Sequence, residues 1–208
     1  MKDSTQAWAL AELGETLDFV IGYSDGYFIR CFKLDSKYVF SKIMEIKDSS
    51  ILNILGLSES TAMIVYMVHG AYFYNFKTQK VLGFVPNKHF NPFKCSVKKI
   101  SDHELLIGSE TSIVLIDYKN FQKIKEFKND TTYAICNLSD KYLLSSYGEG
   151  YLQTHKMSKD INGQLELQFE NRFKVIDGNL TGIIFCPDGK LITFNMTDSI
   201  KIWNAKNK

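Results

Sequence analysis

The sequence predicts an all-β fold built from about five copies of one four-stranded antiparallel unit, and three observations predict it. The first is a recurring turn. An apolar run stops at a small residue plus a carboxylate and then restarts, at Gly14-Glu15, Ser58-Glu59, Ser101-Asp102, Ser139-Asp140 and Pro187-Asp188. The acidic positions step by 44, 43, 38 and 48 residues, which is the period of a four-stranded propeller blade. The second is that the apolar runs flanking each turn have strand length and are punctuated by Gly, Asp, Glu or Ser, as hairpin-connected strands are. The third is that helical spacing is sustained nowhere along the chain. Radial repetition of such units is the plan of a β-propeller.

Taken in order, unit one covers residues 6–48, with strands expected at 7–13, 18–23, 27–32 and 38–46. Residues 5–13 are alanine-rich and would tolerate a helix, but they occupy the place of a first strand and are assigned as one. Unit two covers 49–86, with strands at 51–57, 62–67, 71–76 and 81–85. Unit three covers 93–128, with strands at 95–100, 104–109, 113–118 and 122–127. Unit four covers 131–175, with strands at 133–138, 142–147, 151–156 and 165–175, and a polar insertion at 157–163 that contains an Asn162-Gly163 turn. Unit five covers 180–208, with strands at 181–186, 190–195 and 200–204; the four residues after Asn204 are too few for a fourth.

The turns between second and third strands, Ser24-Asp25-Gly26, His69-Gly70, Glu110-Thr111-Ser112, Gly148-Glu149-Gly150 and Thr197-Asp198-Ser199, carry residues that accept positive backbone angles. Inner strands of a blade pack against neighbours on both faces and read as nearly continuous apolar runs, whereas the fourth strand admits Lys and Glu because it meets solvent. The carboxylates of the recurring turns are expected to satisfy local backbone donors.

Composition narrows the function classes. With 45% hydrophobic and 13% aromatic residues in 208, the chain has ample material for a core. A net charge of +2 gives no reason to invoke nucleic acid or an acidic membrane. No apolar run approaches the ~20 residues that span a bilayer, and the N-terminus lacks the apolar stretch of a secretory signal. A soluble, cytoplasmic chain is expected. Cys31, Cys95, Cys136 and Cys186 stand far apart and read as small apolar strand residues. A metal site drawing on His69, His89, His103 or His155 would need a ligand spacing the sequence lacks, so no metal or cofactor is expected.

No G-x-S-x-G, phosphate-cradling glycine loop or H-E-x-x-H occurs. Residues 22–26 (GYSDG) join two strands and read as a hairpin rather than a nucleotide loop. The recurring carboxylates sit around a ring, not across a cleft, so the expectation is a protein that is not an enzyme. The lysines at 94, 98 and 99, at 123, 125 and 128, and at 201, 206 and 208 read as solvated strand faces. RNA binding through Tyr72, Phe73 and Tyr74 is disfavoured because those aromatics lie in a strand, where core packing is the commoner use.

Residues 180–204 (LTGIIFCPDGKLITFNMTDSIKIWN) resemble a blade of the WD-repeat β-propeller family. Phe185-Cys186-Pro187-Asp188-Gly189 resembles the family's turn between first and second strands, and Ile202-Trp203-Asn204 its closing tryptophan–aspartate pair with Asn for Asp. Elsewhere the pair is degraded to Ile116-Asp117, Tyr74-Asn75, Thr154-His155 and Arg30-Cys31, and no unit opens with Gly-His. The family's buried Asp–His–Ser/Thr–Trp network is therefore not expected in this chain.

The resemblance implies a single propeller domain, or a fragment of one, over residues 1–208. It also implies a non-enzymatic scaffold that binds other proteins through its loops. The loops between second and third strands would present Tyr23, Asp25, His69, Glu110, Tyr147 and Glu149 on one face. The connections between units would present Asn87, Phe90, Asn129, Asp130, Asp177 and Asn179 on the other. The alternative is a regulatory or targeting module of a larger enzyme or assembly, for instance one attached to a kinase, with the ring completed by further blades from a parent or partner chain. An open array would leave an unpaired strand edge and an apolar face exposed.

Overall fold

A computed structural model describes residues 6–14, 18–46, 49–89, 96–109, 111–128, 132, 134–195 and 199–204. The chain is a five-bladed β-propeller in which each sheet is a meander in chain order. Blade one is β1 (Ala7–Leu13), β2 (Asp18–Tyr23), β3 (Tyr27–Leu34) and β4 (Lys37–Glu45). Blade two is β5 (Ile51–Ser58), β6 (Thr61–Tyr66), β7 (Gly70–Asn75) and β8 (Lys80–Pro86). Blade three is β9 (Ser96–Lys99), β10 (Glu104–Gly108), β11 (Ser112–Asp117) and β12 (Gln122–Lys128). Blade four is β13 (Ile135–Ser139), β14 (Tyr142–Tyr147), β15 (Tyr151–Lys159) and β16 (Leu165–Lys174). Blade five has three strands among the described residues, β17 (Leu180–Phe185), β18 (Lys190–Asn195) and β19 (Ile200–Asn204). The alanine-rich start is a strand, as its place in the repeat required: β1 pairs antiparallel with β2.

Successive blades meet through their first strands, β1 with β5, β5 with β9, β9 with β13 and β13 with β17. Between them lie four apolar clusters. Val20 and Phe28 of blade one meet Ile54, Ala62, Ile64 and Tyr74 of blade two. Met63, Val65 and Phe73 of blade two meet Leu105, Ile107, Val114 and Ile116 of blade three. Leu106, Ile113 and Leu115 of blade three meet Leu143, Met157 and Leu165 of blade four. Leu144 and Leu152 of blade four meet Leu180, Ile183 and Leu191 of blade five. Period-2 alternation thus gives each sheet one row facing the preceding blade and one facing the next.

In blades two to four the most buried strands are the second and third, not the first: β10 and β11 are almost wholly buried, whereas all of β9 is half-buried. A central strand has sheet on both edges and blades on both faces, while a first strand gives one edge to the middle of the molecule. The fourth strands behave as their lysines predict. β12 is largely exposed and carries the Lys123–Glu126 ion pair at 2.9 Å, with Lys125 paired to Glu166 of β16.

The recurring acidic turns are built differently from expectation. In three of them the serine hydroxyl, not the carboxylate, accepts the backbone N–H two residues on: Ser58 Oγ from Ser60, Ser101 Oγ from His103, and Ser139 Oγ from Lys141, at 3.2–3.4 Å. A hydroxyl already placed at the first turn position closes the ring and leaves Glu59, Asp102 and Asp140 exposed. Among the described turns only Asp188, which follows Pro187, does the expected work, accepting from the N–H of Lys190 at 3.2 Å and pairing with its ammonium at 2.6 Å. Glu15 lies outside the described residues.

Candidate functional site: the loop face

The two sets of loop residues expected on opposite faces come together on one. In a four-stranded meander the second strand ends on the same side as the fourth, so the connection to the next blade passes over the turn between second and third strands. The hydrogen bonds show this packing directly. The N–H of Asn87 donates to His69 O at 3.2 Å, and its side-chain amide to Val68 O. Asn179 Oδ1 accepts from the N–H of Glu149 at 3.2 Å, and the N–H of Val175 donates to Gly150 O at 3.0 Å. In blade one Ile46 N–H donates to Gly26 O at 3.1 Å, and Ser50 Oγ to Ser24 O at 2.5 Å.

Glycine makes the overlap possible. Gly26, Gly70 and Gly150 all have positive φ, and a Cβ on any of them would lie within 2.3 Å of a carbonyl oxygen at the end of the fourth strand or just after it.

Tyr23, Asp25, His69, Tyr147, Glu149, Asn87, Asp177 and Asn179 therefore line one surface. Phe90, Glu110, Asn129 and Asp130 lie outside the described residues. Two aromatic–cation groups stand out on this side. Tyr23 stacks on Tyr27 with centroids 4.4 Å apart, and Lys42 Nζ sits 4.5 Å over the Tyr27 ring. In blade four the Arg172 guanidinium lies 3.6 Å over Tyr147 and 5.8 Å from Phe169. Glu149 adopts φ 62° beside it, a left-handed conformation uncommon for a side-chain-bearing residue.

Sequence reasoning found the tyrosines at the turns but missed Lys42 and Arg172. Both lie in fourth strands, where they read as solvated charge; only the register, Ile29 with Lys42 and Gln153 with Arg172, brings them up to the turns.

A cavity of about 360 Å³ opens between blades three and four, lined by Phe127, Lys128, Tyr147, His155, Phe169 and Arg172. At its floor Ser145 Oγ and His155 Nε2 are 2.7 Å apart, and Ser145 Oγ also reaches Gln153 Oε1 at 3.4 Å. Burial lowers the His155 pKa to about 4, so the ring is neutral at pH 7.

This pairing of serine and histidine invites a nucleophile–base interpretation, but Ser145 is fully buried and its hydroxyl is also within reach of the Gln153 amide oxygen. Blade five explains the pair better. There Trp203 Nε1 donates to Thr193 Oγ1 at 3.0 Å. Thr193 pairs with Lys201, two residues before Trp203, just as Ser145 pairs with Gln153, two residues before His155. The same second-strand hydroxyl is thus tied to the same third-strand ring in consecutive blades.

Among the described residues, no group of three or more His, Cys, Asp or Glu is placed to hold a metal ion. Cys31, Cys136 and Cys186 are free thiols. Of the three aromatics, Phe73 and Tyr74 are buried between blades and Tyr72 is half-buried. No helix among the described residues is long and apolar enough to cross a membrane. No protein-family model matches the chain, and no curated protein matches it.

Proposed function

We propose that the protein is a non-enzymatic interaction scaffold whose loop face binds partner proteins. The observation that carries this reading is the convergence of both loop sets on one side, where Tyr23, Tyr27 and Lys42 in blade one and Tyr147 and Arg172 in blade four form rigid aromatic–cation groups. Tyr and Arg are the residues that most often dominate binding energy at protein interfaces, because each offers large contact area together with directional polar groups. Stacking in place before a partner arrives reduces the entropy lost on binding. A propeller fold is commonly used in this way, with side chains held by the scaffold and no reactive group required.

The test is affinity purification with quantitative mass spectrometry, comparing the wild-type chain with Tyr23→Ala/Tyr147→Ala and with Asp25→Lys/Glu149→Lys. Circular dichroism serves as the fold control. The scaffold reading expects a defined set of proteins recovered by the wild type to be depleted from both variants. Equal recovery by all three chains would reject the loop face as the binding surface. A role as a regulatory or targeting module within a larger assembly is favoured by a separate observation, the apolar outer surface of blade five.

A further inference from the structure

In blades one to four the row facing the next blade is covered. Its second-strand members Val20, Met63, Leu106 and Leu144 are each at most 2% exposed. Register places Ile192 of β18 in the same row, with Ile184 of β17 and Ile202 of β19 on either side, and Phe194 beside Ile200. In blade five that row faces outward, and Ile184, Ile200 and Ile202 are 49%, 72% and 64% exposed.

The strand order carries the second observation. β3, β7, β11 and β15 each pair on their outer edge with a fourth strand, whereas β19 has no outer neighbour among the described residues. The residue between the exposed isoleucines is Lys201, whose ammonium lies 5.9 Å over Trp203 and meets no carboxylate among the described residues.

We propose that β19 is a docking edge for an extended segment of another polypeptide, which adds antiparallel as the fourth strand of blade five. An added strand places its alternate side chains beside those of β19 on the same face. Its apolar side chains would therefore lie along Ile200 and Ile202, and an acidic side chain on the opposite face would meet Lys201. The chemistry of the occupant follows: alternating apolar and acidic residues, held by main-chain hydrogen bonds and selected by the row it extends.

One fourth strand of this chain has this alternation: in β16 Leu165, Leu167 and Phe169 alternate with Glu166, Gln168 and Glu170, with the apolar side chains on the face that meets blade three. The surface uses none of the loop-face residues, so its test is separate from that of the scaffold reading.

A fluorescein-labelled peptide with the sequence of residues 165–174 is the probe, with binding read by anisotropy and location by hydrogen exchange. Binding to the full chain, with new amide protection in β19, is the expected result. Ile202→Lys should abolish it. Lys201→Glu should weaken it severalfold and be rescued when the peptide glutamates become lysines. Both positions are exposed, so the variants keep the fold. Three results would overturn the proposal: no binding, protection gained at β15 through exchange into blade four, or β19 amides already protected in the free chain. Light scattering provides one more. A stable dimer of the chain that Ile202→Lys dissociates would give the edge to a second copy instead.

Discussion

The His155 ring lies between two sheets with its Nε2 committed to Ser145, so a proton on it has little solvent to stabilise it. Its pKa falls from 6.5 to about 4 on folding. The unfolded chain therefore binds a proton near pH 6.5 that the folded chain refuses until about pH 4, and the stabilisation present above pH 6.5 is lost as the pH falls through this window. Urea denaturation should show a loss of about 2 kcal/mol between pH 7 and pH 5 assignable to this residue. His155→Gln, which keeps a side-chain amide near Ser145, should flatten that dependence; an unchanged pH slope in the variant would remove His155 from the account.

Tyr66 is the reverse case. Its hydroxyl is buried with no hydrogen-bond partner among the described residues, and burial raises its pKa. Removing an unsatisfied polar group costs little, so Tyr66→Phe should leave stability unchanged or raise it by up to about 1 kcal/mol, measured as a shift in urea midpoint.

At the scale of the element, blades one and two approach most closely where β1 crosses β5, and Gly56 sits at that crossing. A Cβ there would lie 2.0 Å from the backbone oxygen of Glu12. Backbone on one side and a paired strand on the other leave no soft atom to yield, so Gly56→Ala should destabilise the fold by about 1–3 kcal/mol in thermal or chemical unfolding.

The Thr193–Trp203 tie offers a milder test. Thr193→Val keeps the shape and removes the acceptor, which should cost about 1 kcal/mol and change the fluorescence of Trp203. Strand positions were legible in the sequence at this scale because alternation, turn residues and strand length agree for every blade. The turn chemistry was not. The eye goes to the repeated carboxylate, while the bond is made by the serine before it, since a hydroxyl one atom from Cβ reaches the N–H two residues on.

For the molecule as a whole, stability should be distributed as a set of blade-to-blade interfaces, each contacting its neighbours in turn. Leu115 and Ile202 occupy equivalent positions of the third strand, the first fully buried and the second 64% exposed. Leu115→Ala should therefore cost about 2–5 kcal/mol, and Ile202→Ala less than about 0.5 kcal/mol. Comparable costs at the two sites would mean that the outer row of blade five is covered in solution.

By itself the sequence determined the repeat and its period, the all-β class and the number of blades. These are local properties: alternation and turn residues act over a few positions, and each unit states them again. It also picked out Tyr23 and Tyr147, which end their strands half-buried beside the turns.

What only the tertiary structure decided are relations between distant positions. Meander topology placed both loop sets on one face. Register set Arg172 over Tyr147, across 25 residues of chain, and made Ser145–His155 the counterpart of Thr193–Trp203. It also aligned Ile192 and Ile202 with a row that is buried in every other blade. The physical reason is common to all of them. A strand's own pattern says which side chains share a face, but the neighbour it pairs with and the sheet that covers it decide what that face meets.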